Sequence, residues 1–423
     1  MEPSRRAFLG ASVATAGWMI VEPRQVRGAD ANSAIRIGLL GCGGRGSADA
    51  TSMVENAGGR MVALAELFGD QLDKAKARFN ALAAKHGHSA IDASQLFLGP
   101  HAFEQIAASK EVDAIIIATP PYFHPQHLAA VVEAGKHVYC EKPVAVDVPG
   151  TQQVLEIGKR AEGRLSLNVG LQIRYAPPFV ELVKRIHGGA LGEVAFGEAH
   201  YFCPFLGNGL AQAPTPEQRL RNWLYDRVLS GDILVEQNIH AIDICYWVLK
   251  SHPVKAAGIG GRKGRSEAGD CLGHSAVTFW YPDDVHVSFT SKQFGKGGGF
   301  DVNESFFGTR GTSSSPYSGV LGITGEDEWT WKDDSQKSSQ AAEFSATGQF
   351  TDNLAQADAE KHKSFLQSIQ SGKFQNQAAL GVEASLTAML ARAAIYKGHE
   401  VTWDQLLRSK KSWDAKLDLN RLT

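Results

Sequence analysis

Residues 35–46 read Ile-Arg-Ile-Gly-Leu-Leu-Gly-Cys-Gly-Gly-Arg-Gly, and this stretch decides the fold. Its first six residues form a short apolar run typical of a buried strand. A glycine loop over residues 41–46 follows directly, and a helix is predicted over Ser47–Asn56. A strand, a Gly-x-Gly-x-x-Gly turn and a helix in this order predict a site for a dinucleotide, because free N–H groups at the helix N-terminus favour the pyrophosphate.

Each glycine of the loop has a physical task. The first permits the tight turn, the second lets the backbone approach the pyrophosphate, and the third lets helix and strand pack closely. We predict that the whole loop binds the cofactor, through Gly41, Cys42, Gly43, Gly44, Arg45 and Gly46.

A carboxylate further along the chain indicates which dinucleotide binds. Glu66 lies 20 residues beyond Gly46, at the end of the second predicted strand. A carboxylate there accepts hydrogen bonds from the adenosine ribose hydroxyls and repels a 2′-phosphate, so NAD is favoured over NADP. The alternative interpretation of Glu66 is a solvated charge at a strand end.

Strands and helices alternate from Ile35 to Val169. The predicted strands are Ile35–Leu40, Arg60–Ala65, Val112–Ala118, His137–Cys140 and Leu165–Val169. The predicted helices are Ser47–Asn56, Asp70–His86, Pro125–Ala134 and Pro149–Ala161. This alternation predicts an α/β fold with a doubly wound parallel sheet, the Rossmann arrangement.

The pattern changes after about residue 175. Strands are predicted at Glu193–Phe202, Val254–Gly260, Ser275–Tyr281, Val285–Lys292 and Asp301–Phe307. Few helices separate them, which predicts an α+β domain with an open, mostly antiparallel sheet. Gly311–Tyr317 and Ser335–Gln349 are predicted as surface loops, and Gly381–Ala394 as a late helix.

The chain divides into four predicted parts. They are an export signal over residues 1–31, a nucleotide-binding domain over 34–170, a substrate and oligomerisation domain over 171–405, and a C-terminal tail over 406–423. The 423 residues are 43% hydrophobic, enough for two domains with sizeable cores. The formal net charge is −2, and no basic excess points to nucleic acid.

The first 31 residues resemble a twin-arginine export signal. Arg5 and Arg6 precede a short apolar run, Gly10 to Val21, which is too short to span a bilayer. We therefore expect export by the twin-arginine machinery to the periplasm, already folded and loaded with cofactor. The alternative is a chance arginine pair. No later stretch is long and apolar enough for a transmembrane helix, so we expect no stable membrane insertion.

Cysteines and histidines give no metal or disulfide pattern. The five cysteines are scattered and odd in number, which favours neither a disulfide framework nor a zinc site. His86 and His88 are two residues apart, but no third ligand is evident, so no metal is predicted.

Three further motifs carry a family resemblance. They are Ala118-Thr119-Pro120-Pro121-Tyr122-Phe123-His124, Cys140-Glu141-Lys142-Pro143, and the segment from Gly231 to His240. With the glycine loop upstream, the chain resembles the Gfo/Idh/MocA oxidoreductase family over roughly residues 34–405. The resemblance implies a Rossmann domain followed by an open-sheet substrate domain, and the oxidation of an alcohol with a nicotinamide cofactor.

The resemblance also implies three catalytic residues. Hydride moves from carbon to the nicotinamide while a base takes the hydroxyl proton. Lys142 matches the family lysine that holds the nicotinamide ribose and the reacting oxygen, and His240 matches the acid/base histidine. Glu236 stands where many members have Asp, so its longer side chain implies a different substrate geometry or an orienting role.

Other residues are assigned to the ligands less directly. By resemblance Thr119, Pro120, His124 and Glu141 join Lys142 on the cofactor side. Arg174 and Tyr175 either reach substrate hydroxyls or tie the two domains together. Trp223 and Tyr225 either stack on a sugar face or pack in the core.

We expect an NAD-dependent oxidoreductase that acts on a sugar, a polyol or a related secondary alcohol and holds its cofactor tightly. One alternative is an NAD-dependent glycoside hydrolase that works by oxidation and elimination. Another is a non-catalytic, sugar-sensing member of the family. By resemblance the chain forms a homodimer or a homotetramer.

Overall fold

A parallel sheet of six strands forms the N-terminal part of the computed structural model. Its strands are β1 Arg36–Leu40, β2 Arg60–Glu66, β3 Leu96–Leu98, β4 Ala114–Ile117, β5 His137–Cys140 and β6 Leu167–Val169. They lie in the order β3-β2-β1-β4-β5-β6, and every pair is parallel. The order steps outward in both directions from the boundary of β1 and β4, which confirms the predicted doubly wound sheet.

Five helices accompany these strands. They are α1 Gly44–Ala57, α2 Gly69–Lys85, α3 Ala102–Ala108, α4 His124–Glu133 and α5 Val148–Ala161. Helix α1 begins inside the glycine loop, three residues before its predicted start at Ser47, so the loop amides belong to its first turn. The short β3 and α3 were not predicted.

A second sheet of nine strands forms the C-terminal domain. Its strands are β7 Val194–Cys203, β8 Lys255–Gly261, β9 His274–Trp280, β10 His286–Gln293, β11 Asp301–Gly308, β12 Gly311–Ser314, β13 Gly322–Gly325, β14 Trp329–Thr330 and β15 Val401–Thr402. All of its pairs are antiparallel except the central pair of β7 and β10. The predicted α+β domain with a mostly antiparallel sheet is therefore confirmed.

One predicted loop is wrong in this sheet. Residues 311–317 were expected to form a surface loop, but β12 pairs with both β11 and β13. Small residues are used here for close approach: a Cβ on Gly311 would lie 2.8 Å from the carbonyl oxygen of Thr324. The hydroxyl of Ser315, just beyond the strand, is buried and donates to the carboxylate of Glu304 at 2.9 Å.

The remaining helices follow the chain through the second domain. They are α6 Pro177–His187, α7 Pro216–Arg221, α8 Arg227–Ser230, α9 Ile233–Glu236, α10 Ile239–Leu249, α11 Ala357–Gln370, α12 Ala378–Lys397 and α13 Trp403–Leu407. Helix α11 returns to the first domain, where His362 lies 2.8 Å from the hydroxyl of Ser52 on α1. The parallel sheet therefore receives support from a helix that follows it by almost 200 residues.

We expected no stretch after the export signal to be long and apolar enough for a transmembrane helix, and helix α12 shows that this expectation was wrong. By length and composition it could cross a membrane, but 72% of its apolar window is buried inside the protein. It packs against α5, α10 and β8, as the core helix of a globular domain does.

The structure describes residues 34–206, 214–265, 269–295, 299–332 and 352–422. The predicted export signal and the predicted loop over residues 335–349 lie outside the described residues. All five cysteines are described, and each is free and buried.

Candidate active site

A cleft of about 580 Å³ opens at the carboxyl ends of β1, β2 and β4. This is the point where the strand order reverses, the usual place for a ligand in a doubly wound sheet. Among the predicted site residues, the cleft is lined by Gly41, Gly43, Gly44, Glu66, Thr119, Pro120 and Trp223.

The three motif glycines have different surroundings. Gly41 has a φ of +93°, and a Cβ there would lie 2.7 Å from the backbone of Ala118. A Cβ on Gly46 would overlap the carbonyl oxygen of Gly41. At Gly43 a Cβ would meet no protein atom within 4 Å, and no side chain caps the helix that begins after it. The open face at Gly43 fits a pyrophosphate against the first turn of α1.

Glu66 holds the loop in place. One carboxylate oxygen accepts the N–H of Cys42 at 2.8 Å, and the other accepts the N–H groups of Leu67 at 2.7 Å and Phe68 at 3.2 Å. The Cys42 side chain points into the core, and burial raises the pKa of its thiol well above the usual range. Glu66 thus combines a loop-fixing role with a place on the cleft wall.

Arg45 and Glu141 meet in a charged network beneath the loop. The Arg45 guanidinium lies 3.1 Å from Glu141, 3.0 Å from Asp49 and 2.8 Å from Asp358. Burial opposes ionisation of Glu141, but the charges of Arg45, Lys361 and Lys142 outweigh it and hold its pKa well below the usual range. The side chains of Arg45 and Glu141 therefore support the loop, and neither is among the cleft-lining residues.

His124 bridges two loops beside the cleft. Its Nδ1 lies 2.7 Å from the carbonyl oxygen of Pro143, and its Nε2 lies 2.8 Å from the carbonyl oxygen of Thr119. The ring is buried, and burial lowers the pKa of His124. The peptide bond between Lys142 and Pro143 is cis. His124 therefore positions the segment that carries Lys142.

The structure brings Lys142 and Glu236 together. Lys142 follows β5 of the parallel sheet, and Glu236 ends the short helix α9 of the second domain. The Lys142 Nζ donates to Glu236 Oε1 at 3.0 Å and to the Glu236 carbonyl oxygen at 2.6 Å. Both side chains are largely buried, at 12% and 13% exposure, so the pair is shielded from bulk water.

His240 lies in the first turn of α10, four residues after Glu236. Burial and then the positive charge of Lys142 hold the pKa of His240 well below its usual range. The imidazole is therefore neutral at neutral pH and suited to accept a proton.

The four predicted substrate residues are dispersed. Arg174 binds the carboxylate of Asp243 with two bonds of 2.7 and 2.8 Å, and the Tyr175 hydroxyl accepts the Gln377 amide at 2.5 Å. Trp223 lines the cofactor cleft. Tyr225 is buried with its ring 5.2 Å from that of Phe205.

Sequence reasoning missed a polar chain beside Glu236. The side-chain Oε1 of Gln237 accepts a hydrogen bond from the side-chain Nε2 of Gln293 at 2.5 Å. The side-chain Oε1 of Gln293 in turn accepts one from the buried guanidinium of Arg265. Gln237 lies inside the quoted motif, but Arg265 and Gln293 come from distant segments that only the fold brings together. Within the described ranges, no cluster of three or more His, Cys, Asp or Glu could hold a metal ion.

Comparison with known sequences gives two family matches. Residues 35–169 match the model of the GFO/IDH/MocA oxidoreductase family with its NAD-binding Rossmann fold, and residues 179–314 match the GFO/IDH/MocA C-terminal domain. An inositol 2-dehydrogenase of Rhizobium meliloti (strain 1021) is 28% identical over 220 residues, which are 52% of this chain and 56% of the relative. Inositol 2-dehydrogenase 4 of Saccharopolyspora erythraea is 32% identical over 162 residues, 38% of this chain and 43% of the relative. The chain thus spans about half the length of these curated relatives.

Solved structures share the fold across nearly the whole described chain. A scyllo-inositol dehydrogenase from Lactobacillus casei, with bound NAD(H) and scyllo-inositol, aligns with a TM-score of 0.65 at 19% identity and covers 88% of this chain and 99% of its own. An aldose–aldose oxidoreductase from Caulobacter crescentus aligns with a TM-score of 0.66 at 18% identity and covers 87% and 99%. Together with the two family matches, this identifies the chain as a member of the Gfo/Idh/MocA oxidoreductase family with an NAD-binding Rossmann domain.

Proposed function

We propose that this protein oxidises a secondary alcohol of a sugar or polyol, with a tightly held NAD as hydride acceptor. The observation that carries the proposal is the ion pair between Lys142 of the first domain and Glu236 of the second. Glu236 lies four residues before His240 in the chain. NAD, when bound, supplies the carbon that receives the hydride, and the residues of this chain manage the proton.

Lys142 has one donor left for substrate. An ammonium group carries three N–H bonds, and Glu236 takes two of them. The third can donate to the reacting oxygen and stabilise the negative charge that develops as the hydroxyl proton leaves. The neutral imidazole of His240 is the base that accepts this proton, and Glu236 orients Lys142.

We infer the substrate class from the names of the relatives. Both curated relatives are named inositol 2-dehydrogenases, and one structural relative contains scyllo-inositol. We therefore propose a cyclic polyol or a sugar as substrate.

The test is an activity screen of the purified full-length protein. Its bound nucleotide is released with acid and identified, and NADH formation is followed with a panel of inositols, aldoses and aryl glycosides. We expect bound NAD and NADH formation with at least one polyol or sugar. Lys142→Met should abolish turnover, whereas Lys159→Met, at an exposed helical lysine 72% accessible to solvent, should not.

Three results would contradict the proposal. A wild-type protein that binds no NAD would remove its basis. Hydrolysis of aryl glycosides without net NADH formation would indicate a glycoside hydrolase that works by oxidation and elimination. Binding of sugars without any turnover would indicate a sensing protein.

We also propose export by the twin-arginine route to the periplasm, on the strength of Arg5 and Arg6 before the apolar run of residues 10–21. Replacing both arginines by lysine should keep the protein in the cytoplasmic fraction. Arg24→Lys, outside the pair, should leave export intact. Periplasmic recovery of the doubly substituted protein would contradict this route.

The outer face of the nine-stranded sheet supports a homo-oligomer. The rings of Phe196 and Phe307 stack there at 4.4 Å, and His286 stacks on Phe196 at 5.7 Å. Ile259 on β8 is 77% exposed. An apolar sheet face of this kind is stabilised when a second copy covers it, and we propose a homodimer or homotetramer built through it.

A further inference from the structure

One wall of the cofactor cleft comes from outside the parallel sheet. Two segments form it: the strap, residues 215–225, and the tail, residues 413–422. Leu220, Arg221, Asn222 and Trp223 of the strap line the cleft, and so does Leu419 of the tail. The tail lies beyond both family matches, which end at residues 169 and 314.

The strap is fastened to the loop that carries Glu66. Thr215 and Gln218 form a capping box that begins α7. From the end of that helix, Arg221 reaches the carboxylate of Asp70 at 2.9 Å and lies over the ring of Phe68 at 4.0 Å. The strap therefore closes the side of the cleft nearest to Glu66 and Phe68.

The tail lies along the protein with one side buried and the other exposed. Trp413, Ala415, Leu417 and Leu419 face inward, and the residues between them, Asp414, Lys416 and Asp418, are exposed. Lys416 has a positive φ of +51°, and Leu419–Arg421 form a turn of 3-10 helix, so the segment bends while it keeps one side against the protein. The tail is thus shaped to cover a surface.

Hydrogen bonds hold the start of the tail. The N–H of Trp413 donates to Asp147 at 2.7 Å, and its ring lies under the Arg392 guanidinium at 4.0 Å. Arg219 of the strap donates to the carbonyl oxygen of Ala415 at 2.8 Å. The end of the tail instead packs by apolar contact, in a cluster that comprises Leu67, Phe68, Tyr122, Phe123, Leu220, Trp223, Val228, Leu229, Ala415, Leu417, Leu419 and Leu422.

The position of this wall indicates what it covers. The pyrophosphate fits at Gly43, and Glu66, at the end of β2, stands where a Rossmann domain places the carboxylate for the adenosine ribose. The part of the cleft beyond Glu66, bounded by Phe68, Trp223 and Leu419, is left for the adenine ring. An aromatic and an aliphatic side chain suit the faces of a flat heterocycle.

We propose that the strap and the tail bind the adenine of the dinucleotide and that the tail must move aside before the cofactor can leave. The wall explains how a Rossmann domain in this protein would retain its cofactor, and it therefore rests on the proposed function. Because apolar contacts alone hold its last residues, the tail can open without unfolding either sheet.

The test measures NADH release from the loaded protein. Full-length protein is saturated with NADH, mixed with excess ADP-ribose, and followed by the loss of bound NADH fluorescence in a stopped flow. Leu419→Ala and Trp223→Ala should each speed release roughly tenfold, because the contact area lost with one half-buried apolar side chain is worth about that factor. Deletion of residues 413–423 should speed release further. Lys410→Ala, at an exposed position just before the tail, should release NADH at the wild-type rate.

The outcomes separate this inference from the proposed function. Circular dichroism and thermal unfolding establish that each point variant is folded, so the inference does not depend on the deletion. Release within twofold of wild type in folded Leu419→Ala and Trp223→Ala would overturn the inference and leave the proposed function intact. A wild-type protein that binds no NADH would overturn the proposed function itself.

Discussion

At the scale of the residue, the Lys142 ammonium group donates two hydrogen bonds, and both go to the same residue. Glu236 offers its carboxylate and its own carbonyl oxygen, so the backbone of α9 fixes part of the ammonium position. The Glu236 side chain can reach Lys142 while its backbone also accepts a bond, which assigns Glu236 an orienting role.

Glu236→Gln should therefore slow catalysis more than it weakens substrate binding. The amide keeps the shape but removes the charge that holds the ammonium, and we expect kcat to fall about 100-fold, the lower range for a positioned acid–base group. Glu156→Gln, an exposed carboxylate that pairs with Lys159, is the matched control. A steady-state measurement in which only KM rises would contradict the orienting role.

Buried neutral histidines make the fold sensitive to acid. Burial lowers the pKa of His127 to about 3, and burial also lowers those of His124 and His240. Below the unfolded pKa of about 6.5, the unfolded chain binds protons that the folded chain does not, so the free energy of unfolding decreases as pH falls.

We expect His127 alone to remove about 2 kcal/mol of stability between pH 7 and pH 5. Urea unfolding at the two pH values measures the loss, and His127→Leu should reduce it by that amount. The exposed His101, 65% accessible, supplies the control His101→Leu, which should leave the loss unchanged. An identical pH dependence in wild type and His127→Leu would contradict this assignment.

At the scale of the element, different glycines of the loop serve the packing of the protein and the contact with the ligand. A Cβ on Gly46 would overlap the Gly41 carbonyl oxygen, whereas a Cβ on Gly43 would meet nothing within 4 Å. One position serves the contact between α1 and β1, and the other is open toward the ligand.

Gly43→Ala should therefore unfold at the wild-type temperature yet bind NAD at least about tenfold more weakly, because the methyl group occupies the path of the pyrophosphate. Gly46→Ala should lower the unfolding temperature, since backbone must shift to admit the methyl group. Thermal unfolding without ligand and NAD titration distinguish the two effects. Wild-type NAD affinity in Gly43→Ala would place the pyrophosphate elsewhere.

Elements with strong periodic signals could be predicted, and those set by tertiary contact could not. The buried strands β1, β4 and β5 are apolar runs, and the motifs after them give the cleft and Lys142. Strand β3 has only three residues, none of them buried, so it carries no comparable pattern. Strand β12 has the composition of a loop because its glycine and serines permit close packing. The alternation in the tail was a readable signal, but nothing in the sequence indicates which surface it covers.

Site residues follow the same division. The glycine loop, Lys142, Glu236 and His240 lie in compact motifs, so their chemistry could be predicted. Arg45 and Glu141 also lie in motifs, yet their side chains join an ion network with Asp358, more than 200 residues away from either. Trp223 belongs to the cofactor cleft because the strap folds back across it, which no local pattern reveals.

At the scale of the whole molecule, the outer face of the nine-stranded sheet is the proposed interface with a second copy of the chain. Phe307→Lys would place a charge in the stack with Phe196 and should prevent the proposed association of subunits, because burying an unpaired charge is costly. Lys373→Glu, at an exposed position after α11, is the control. Light scattering at several protein concentrations gives the mass, and an unchanged mass for Phe307→Lys would exclude this face as the interface.

The five buried cysteines have a practical consequence for handling the protein. Burial raises the pKa of every thiol, that of Cys203 to about 12, so the reactive thiolate is scarce in the native state. Alkylating reagents should therefore modify the chain only while it is transiently open. The rate of alkylation therefore measures how often these openings occur, and the measurement needs no engineered probe.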